Sequence, residues 1–387
     1  MYPMIKKEPF WDNENFRLQL AQCVVFICVA YLFYSLYSNL QHNLNSRGIT
    51  SGFEFLNDTA GFNIIMHLID YNERSTYLRT FLVGLLNTLL VSSIGIVIAT
   101  ILGVIIGVAR VSHNWLWSKL ALVYVEALRN IPLLLQIFFW YFVVLRAAPH
   151  PKQAVNFGDV IYITNRGIYL PKPEALAIFA LVIFVFLTYW VLSFIAKQLL
   201  KRHSPESIGI RRIYHCQQFL LGLCGVGMIG ILWQTNWNIP ELRGFNFQGG
   251  FVLIPEFLAL LFALSLYTAA FIAEIVRSGI LAIPKGQWEA AKALGLNARQ
   301  VMKLVILPQA TKVILPPLTN QYLNLSKNSS LAAAVAYPDL ISVFAGTVLN
   351  QTGQAIEIIG MTMAVYLTIS LSISFVMFLY EKKTNWG

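Results

Sequence analysis

The sequence has few charged residues and few groups suited to catalysis. Only 12% of its 387 residues are charged and 57% are hydrophobic, which lies outside the range of ordinary soluble domains. No G-x-x-x-x-G-K-[ST] phosphate loop is present, so the chain cannot itself hydrolyse ATP by that route. The four cysteines lack C-x-x-C spacing and the six histidines lack a metal-binding pattern, which leaves an intramembrane enzyme with little support.

The apolar residues come in blocks of about twenty, the length that crosses roughly 30 Å of hydrocarbon as a helix. Backbone groups inside such blocks must bond within their own segment. We therefore predict an all-α polytopic membrane protein with about eight transmembrane helices. The predicted helices lie at residues 18–38, 79–109, 120–145, 174–196, 216–233, 254–278, 306–326 and 356–380.

The net charge of +10 comes from Lys and Arg residues that lie between the apolar blocks. A nucleic-acid-binding protein would instead cluster them on one face, so no nucleic-acid partner is expected. Segments on one side of the predicted helices have eighteen Lys and Arg residues and segments on the other side have nine. The positive-inside rule places the first set, with both termini, in the cytoplasm.

The segment between the sixth and seventh predicted helices has the signals of a helix, a turn and a second helix. Pro284 and Gly286 interrupt the sixth helix, and strong helix formers follow up to Leu294. Gly295 stands where a left-handed residue would end that helix. Asn297 and Gln300 have the spacing of a capping box for the next one. Two interpretations fit: a surface for a cytoplasmic partner, or an amphipathic helix that only anchors the fold.

The same segment resembles a known motif. Glu289-Ala290-Ala291, Gly295 and Val305-Ile306-Leu307-Pro308 match the E-A-A-x3-G-x9-I-x-L-P loop of permease subunits of bacterial ATP-binding-cassette importers, with Val305 in place of Ile. The stretches 126–142 and 266–280 are similar to the polar amino acid permease group. The length, the layout and residues 47–64 resemble the enlarged subunits of general L-amino acid importers.

The resemblance implies a domain layout. Residues 79–387 would form the permease transmembrane domain, with a five-helix core, inserted helices at about 148–250 and a coupling loop at about 279–308. Residues 1–78 would be an N-terminal extension with the first helix and a periplasmic segment. In the loop, the residues expected to contact the ATPase are Glu289, Ala290, Ala291, Gly295, Leu307 and Pro308.

The resemblance also implies partners and a location. The chain would move L-amino acids across the bacterial cytoplasmic (inner) membrane. It would pair with a homologous second permease, two ATP-binding subunits and a periplasmic amino acid-binding protein, surrounded by membrane lipid. No cofactor would be bound by this chain, because ATP and magnesium would sit on the partner ATPase.

Two pairs of charged residues fall inside predicted helices. Glu126 and Arg129, and likewise Glu274 and Arg277, are three residues apart and can pair on one helix face. A charge at the bilayer centre costs about 2.5–3.5 kcal/mol on insertion scales, so each needs a partner or water. Structural ion pairs are the favoured interpretation over contact with substrate.

A polar run lies in the seventh predicted helix. Gln321, Asn324 and Asn328 share a helix face, and Asn87 and Thr88 add polar groups in the second helix. We expect these residues to line a translocation path, opened by Pro316 and Pro317 and ending before Pro338. Hydrogen bonding between helices is the alternative, and each such contact contributes only about 0.6 kcal/mol. An ion-coupled secondary transporter or channel remains the alternative function, and nothing in the sequence selects among amino acids.

Overall fold

The computed structural model describes residues 14–46, 52–173 and 236–385. The predicted helices at 174–196 and 216–233 lie outside these residues. The chain divides into two compact units. Unit 1 comprises Met1–Leu86 and Asp339–Ile369, and unit 2 comprises Asn87–Pro338 and Ser370–Gly387.

Long apolar helices dominate the described residues, because their backbone groups must bond internally in lipid. Of the other six predicted helices, five are confirmed as helical segments that begin and end within about ten residues of the predicted bounds. The helices are α1 Glu14–Ser46, α2 Tyr77–Arg110, α3 Trp115–Asn130, α4 Leu133–Phe138, α5 Pro255–Leu281, α6 Lys285–Ala293, α7 Ala298–Val335 and α8 Ala355–Asn385.

The third predicted helix, 120–145, is wrong as a single straight span. It is a pair, α3 and then α4 continued by a π-helical stretch Phe139–Leu145, with a bend of 105° between them. Ile131 at the break is extended, at φ −96° and ψ 127°, because the residue before a proline is disfavoured in the helical region. Pro132 also lacks the N–H that would bond the Leu128 carbonyl in a continuous helix, which favours a break here.

Short β-strands between α4 and α5 were not predicted. The strands are β1 Val155–Phe157, β2 Ile161–Thr164, β3 Gly167–Leu170, β4 Lys172–Pro173, β5 Trp237–Asn238, β6 Glu241–Arg243, β7 Asn246–Gln248 and β8 Phe251–Leu253. A four-stranded antiparallel sheet has the order β1-β2-β3-β8, and two further pairs are β4-β5 and β6-β7. Gly167, at φ +134°, starts β3 directly after the turn from β2.

Unit 1 has its own apolar core. Phe81 and Phe344 stack edge to face with ring centroids 5.0 Å apart. Gly84 lies against the chain at Leu340, where a Cβ would come within 3.0 Å of the Leu340 Cα. Around these contacts the chain forms a 3₁₀ turn Glu54–Asn57, a π-helix Ile341–Val348 and a helical turn Leu349–Thr352.

Unit 2 is built around α5, the most buried of the apolar helices in the described part of the chain. Glycines of α2 allow close packing between α2 and α5, as is common between membrane helices. A Cβ on Gly103 would lie 2.6 Å from the Ile272 side chain, and one on Gly107 would lie 2.7 Å from the Ala273 carbonyl oxygen. The C-terminal half of α2 therefore lies in backbone contact with α5.

Candidate functional site

The loop between α5 and α7 folds as the sequence predicts. Gly295 adopts φ +76°, which favours glycine. Its N–H donates to the Lys292 carbonyl at 2.9 Å, and the Leu296 N–H donates to the Ala291 carbonyl at 3.4 Å. This pair of bonds closes the C-terminus of α6. A Cβ at Gly295 would meet nothing within 4 Å, so only the backbone conformation requires glycine here.

The second helix of the loop begins with the predicted capping box. The Asn297 side chain accepts from the Gln300 N–H at 3.0 Å, and the Gln300 side chain accepts from the Asn297 N–H at 3.0 Å. Both bonds satisfy N–H groups that a helix start leaves unpaired. The turn between α6 and α7 is therefore fixed by local bonds on both sides.

Most residues from 285 to 300 in the loop are exposed. Glu289 and Ala290 are exposed, and Ala291 is buried at 2%. Leu294 is 80% exposed, whereas Trp288 and Ala291 on the same helix face are half-buried and buried. Lone exposed leucines are common on protein surfaces. This one lies directly before Gly295, at the turn between α6 and α7, where a partner could cover it.

The end of the motif lies in α7. Val301–Ile306 is π-helical, and the α-helix that follows, Leu307–Asn328, has Pro308 in its first turn, where its missing N–H costs nothing. The Gln309 side chain donates to the Gln287 side chain at 3.2 Å. This bond joins α7 to α6, so the two helices of the loop are linked beyond the turn between them.

The predicted ion pair between Glu274 and Arg277 is confirmed, with Arg277 Nη2 2.7 Å from Glu274 Oε1. The predicted pair between Glu126 and Arg129 is wrong. Arg129 instead lies over the Phe271 ring, 5.1 Å from its centroid, and Glu126 is exposed and accepts from the Asn130 side chain. The aromatic face of Phe271 on α5 offers Arg129 an interaction that sequence spacing could not reveal.

One partner of Glu274 was missed by the sequence analysis. Arg110, the last residue of α2, forms an ion pair with Glu274 Oε2. The Arg110 side chain is 11% exposed, the least accessible of the three. The two residues are 164 positions apart, so only the placement of Arg110 at the end of an apolar block could have pointed to it.

The polar residues of α7 lie on two faces. Asn324 is exposed and Gln321 and Asn328 are half-buried, whereas Leu325 and Ser326 are buried. On the buried side, the hydroxyl groups of Tyr322 and Thr100 are 2.8 Å apart, so this face packs against α2. Gln321, Asn324 and Asn328 are more accessible than this face, and we call them the amide stripe.

Asn87 and Thr88 do not join the amide stripe, because both are fully buried. The Asn87 side chain donates to the Pro338 carbonyl at 2.8 Å, and the Tyr337 hydroxyl donates to the Asn87 carbonyl at 3.1 Å. These bonds hold the chain just after α7, where Ala336 is left-handed at φ 56°. The break before Pro338 is confirmed. Opening at Pro316 and Pro317 is not, because the α-helix Leu307–Asn328 runs through both.

Asp339 was also missed by the sequence analysis. It is fully buried, and its Oδ1 accepts from the Ser342 N–H at 2.8 Å at the start of the π-helix Ile341–Val348. Burial raises the pKa of the Asp339 carboxyl to about 7, against the opposing effect of hydrogen bonds from backbone N–H groups and Tyr366. An Asp directly after a proline is a common helix start, which gave no sign of its burial.

Comparison with known proteins assigns most of the chain to a family. Residues 95–384, from within α2 almost to the end of α8, match the family described as binding-protein-dependent transport system inner membrane component. The chain belongs to this family. It is therefore a membrane-spanning permease component, and the relatives give no support to the alternative of an ion-coupled secondary transporter or channel.

Three relatives of this permease match over most of its length. It is 52% identical to an Escherichia coli K12 protein named as an amino-acid ABC transporter permease, YhdX, over 98% of this chain and 97% of that one. It is 45% identical to the general L-amino acid transport system permease protein AapQ of Rhizobium johnstonii, over 89% and 86%. It is 41% identical to the glutamate/glutamine/aspartate/asparagine transport system permease protein BztB of Rhodobacter capsulatus, over 96% and 94%.

Among solved structures, an amino acid ABC transporter with histidines is 22% identical and covers 79% of this chain and 95% of that one, with a TM-score of 0.47. The permease fold assigned here rests on the family match and on the helices themselves.

Proposed function

We propose that this permease moves L-amino acids into the cell and is driven by a separate ATPase subunit that docks on the loop 285–308. The observation that carries the proposal is the exposed helix–turn–helix with Glu289 and Ala290 at its surface and Gly295 fixing its turn. The alternative, an amphipathic helix lying in the membrane interface, would place its apolar residues on one lipid-facing side. Here Ala291, one turn before Leu294 on the same helix face, is buried against the protein, so this face is not a continuous lipid-facing side.

The substrate class follows from the relatives. Three full-length relatives at 41–52% identity have names that refer to amino acids or amino-acid transport. The amide stripe suits such substrates, because side-chain amides can both donate to a carboxylate and accept from an ammonium group. Its side chains are exposed or half-buried among the residues that the structure describes. A second permease subunit would complete a path there.

Several finer features belong to the same proposal. Both termini and the loop 285–308 would face the cytoplasm, as the distribution of Lys and Arg indicates. The second permease would be a homologue, two ATPase subunits would hold ATP and magnesium, and a periplasmic binding protein would deliver the amino acid. This chain would bind no cofactor of its own.

The proposal is tested by co-purification of the chain with the products of its neighbouring genes, followed by reconstitution into liposomes. Uptake of radiolabelled amino acids is measured with ATP inside or outside the vesicles, using acidic, basic and neutral members of the panel. We expect uptake of at least one class, dependent on ATP on the side of the loop. Uptake driven by an ion gradient without ATP would contradict the proposal.

A further inference from the structure

The carboxylate of Glu274 binds two arginines in different ways. Arg277 lies one turn further along α5, so its bond to Oε1 stays within one helix. Arg110 lies at the end of α2, so its bond to Oε2 joins two helices. Of these two bonds, only the one from Arg110 joins α2 to α5. The Arg110 side chain is also less exposed than that of Arg277, at 11% against 33%.

The contact between α2 and α5 extends back from this ion pair along two further turns. Gly107 and Gly103 leave no room for a side chain against α5, where an added Cβ would lie 2.7 Å and 2.6 Å from its atoms. Close packing at two consecutive turns followed by an ion pair leaves little freedom for one helix to slide on the other. This half of α2 and α5 are expected to move as one body.

The other end of this part of α2 is attached to a different segment. The Asn87 side chain donates to the Pro338 carbonyl at 2.8 Å, and the Tyr337 hydroxyl donates back to the Asn87 carbonyl at 3.1 Å. A non-glycine residue in the left-handed region, Ala336, immediately precedes this segment. Such backbone strain persists only where surrounding contacts enforce it. The bonds to Asn87 are such contacts.

We propose that the part of α2 from Asn87 to Arg110, which we call the rod, moves as a rigid helical segment. It transmits movement of the loop 285–308 to the chain segment at Ala336–Pro338. At a helical rise of about 1.5 Å per residue the rod is roughly 35 Å long, enough to cross the hydrocarbon core. Arg110 and Glu274 are its positioning residues at one end and Asn87 at the other.

The loop is attached to the rod through α5. Helix α5 ends at Leu281 and α6 begins at Lys285, so a displacement of α6 by an ATPase acts on α5 about two turns from Glu274. The inference rests on the proposed function, because it needs an ATPase that displaces α6. Without the Arg110 bond, only the packing at Gly103 and Gly107 would hold this end of α2 to α5, so less of the movement would be transmitted.

The test compares two arginine variants that remove the same charge beside the same carboxylate. The complex with the ATPase and binding-protein subunits is reconstituted, and the ratio of amino-acid-stimulated to basal ATPase rate is measured together with complex yield. We expect Arg110→Gln to lower this ratio by about fivefold or more, the usual range of coupling between sites. Arg277→Gln, whose bond lies within one helix, should lower it less than about twofold.

The outcomes are separable. Lack of stimulation in the wild-type complex contradicts the proposed function itself. A wild-type complex that is stimulated, with equal losses in Arg110→Gln and Arg277→Gln or no loss in either, overturns the rod alone. Failure of Arg110→Gln to assemble, with normal assembly of Arg277→Gln, would make the ion pair a folding contact and would also overturn it.

A double variant tests whether both ends belong to one element. Asn87→Ala removes the bond to Pro338, and the distance to Arg110 is about 35 Å. Independent sites this far apart have additive effects in free energy, so their fold changes multiply. We expect Arg110→Gln with Asn87→Ala to be no worse than the more damaging single variant. Multiplied losses would overturn the rod.

Discussion

Gln136 of α4 donates from its side-chain Nε2 to the carbonyl of Leu128 in α3, 2.9 Å away, across the 105° bend between the two helices. The same nitrogen lies 3.0 Å from the carbonyl of Ile131. Pro132 has no N–H to offer the Leu128 carbonyl, and the Leu135 N–H, which would bond the Ile131 carbonyl in a continuous helix, bonds the Pro132 carbonyl instead. The buried Gln136 amide therefore replaces hydrogen bonds that the break removes.

The first prediction concerns this replacement. Gln136→Leu keeps the size of the side chain but leaves two carbonyls without their donor, which should lower stability by about 1–3 kcal/mol. The melting temperature of the purified chain in detergent measures it. Gln153→Leu, at an exposed glutamine, is the matched control and should change little. Equal melting temperatures for both variants would contradict a role for Gln136 at the bend.

The second prediction concerns Gly295. Gly295→Val places a β-branched residue at φ +76°, at a cost of about 1–2 kcal/mol, and should distort the turn and reduce amino-acid-stimulated ATPase activity. Gly286→Val is the control, because an added Cβ there also meets nothing within 4 Å but φ is negative. Gly295→Asn should retain more activity than Gly295→Val, since Asn tolerates the left-handed region.

Well-expressed Gly295→Val with normal stimulated activity would show that the turn does not serve coupling. A loss of the same size in Gly286→Val would show instead that any added side chain on this surface interferes.

The third prediction concerns the amide stripe. Asn324→Leu should abolish uptake or change the preferred amino acid while basal ATPase activity and complex yield stay near wild type. The change removes a polar contact from an exposed side chain and introduces no buried charge. Asn350→Leu, at an exposed amide outside α7, is the control. Full uptake by an intact Asn324→Leu complex would remove Asn324 from the path, and a weakened complex would indicate helix packing.

The fourth prediction concerns pH and Asp339. Its native pKa of about 7 lies above the ordinary value of 3.8, because burial disfavours the carboxylate. The native state therefore holds a proton that the unfolded chain has released, and stability present below about pH 4 is lost as the pH rises to about 7. The melting temperature should fall from pH 5 to pH 8.

Asp339→Asn should remove most of that slope, because the amide cannot ionise. Asp70→Asn, at an exposed aspartate, should leave the slope as in wild type. A slope that persists in Asp339→Asn would assign the pH dependence to another group.

The features predicted correctly from the sequence are local ones. Apolar block length reveals α2, α5, α7 and α8, since lipid requires helices of that length. Gly295 and the Asn297–Gln300 capping box were predicted because their bonds span only a few residues. The Glu274–Arg277 pair was predicted for the same reason.

The features that were missed depend on contacts far apart in sequence. Arg110 forms an ion pair with Glu274 because α2 packs against α5. Arg129 contacts the Phe271 ring and not Glu126 because α3 packs against α5. Asn87 has a side-chain amide like the residues of the amide stripe. In the packed structure this amide donates to the Pro338 carbonyl. The strands of three or four residues are too short to produce a pattern of alternating side chains.

The pairing of β4 with β5 has a consequence for how this permease could have changed in length. Pro173 lies opposite Trp237 in an antiparallel pair, so the chain departs from and returns to neighbouring positions. Insertions are best tolerated where the residues before and after the inserted segment already lie side by side, because the rest of the fold need not move. The junction of β4 with β5 is therefore a point at which the length of the chain can change while the strands on either side keep their pairing.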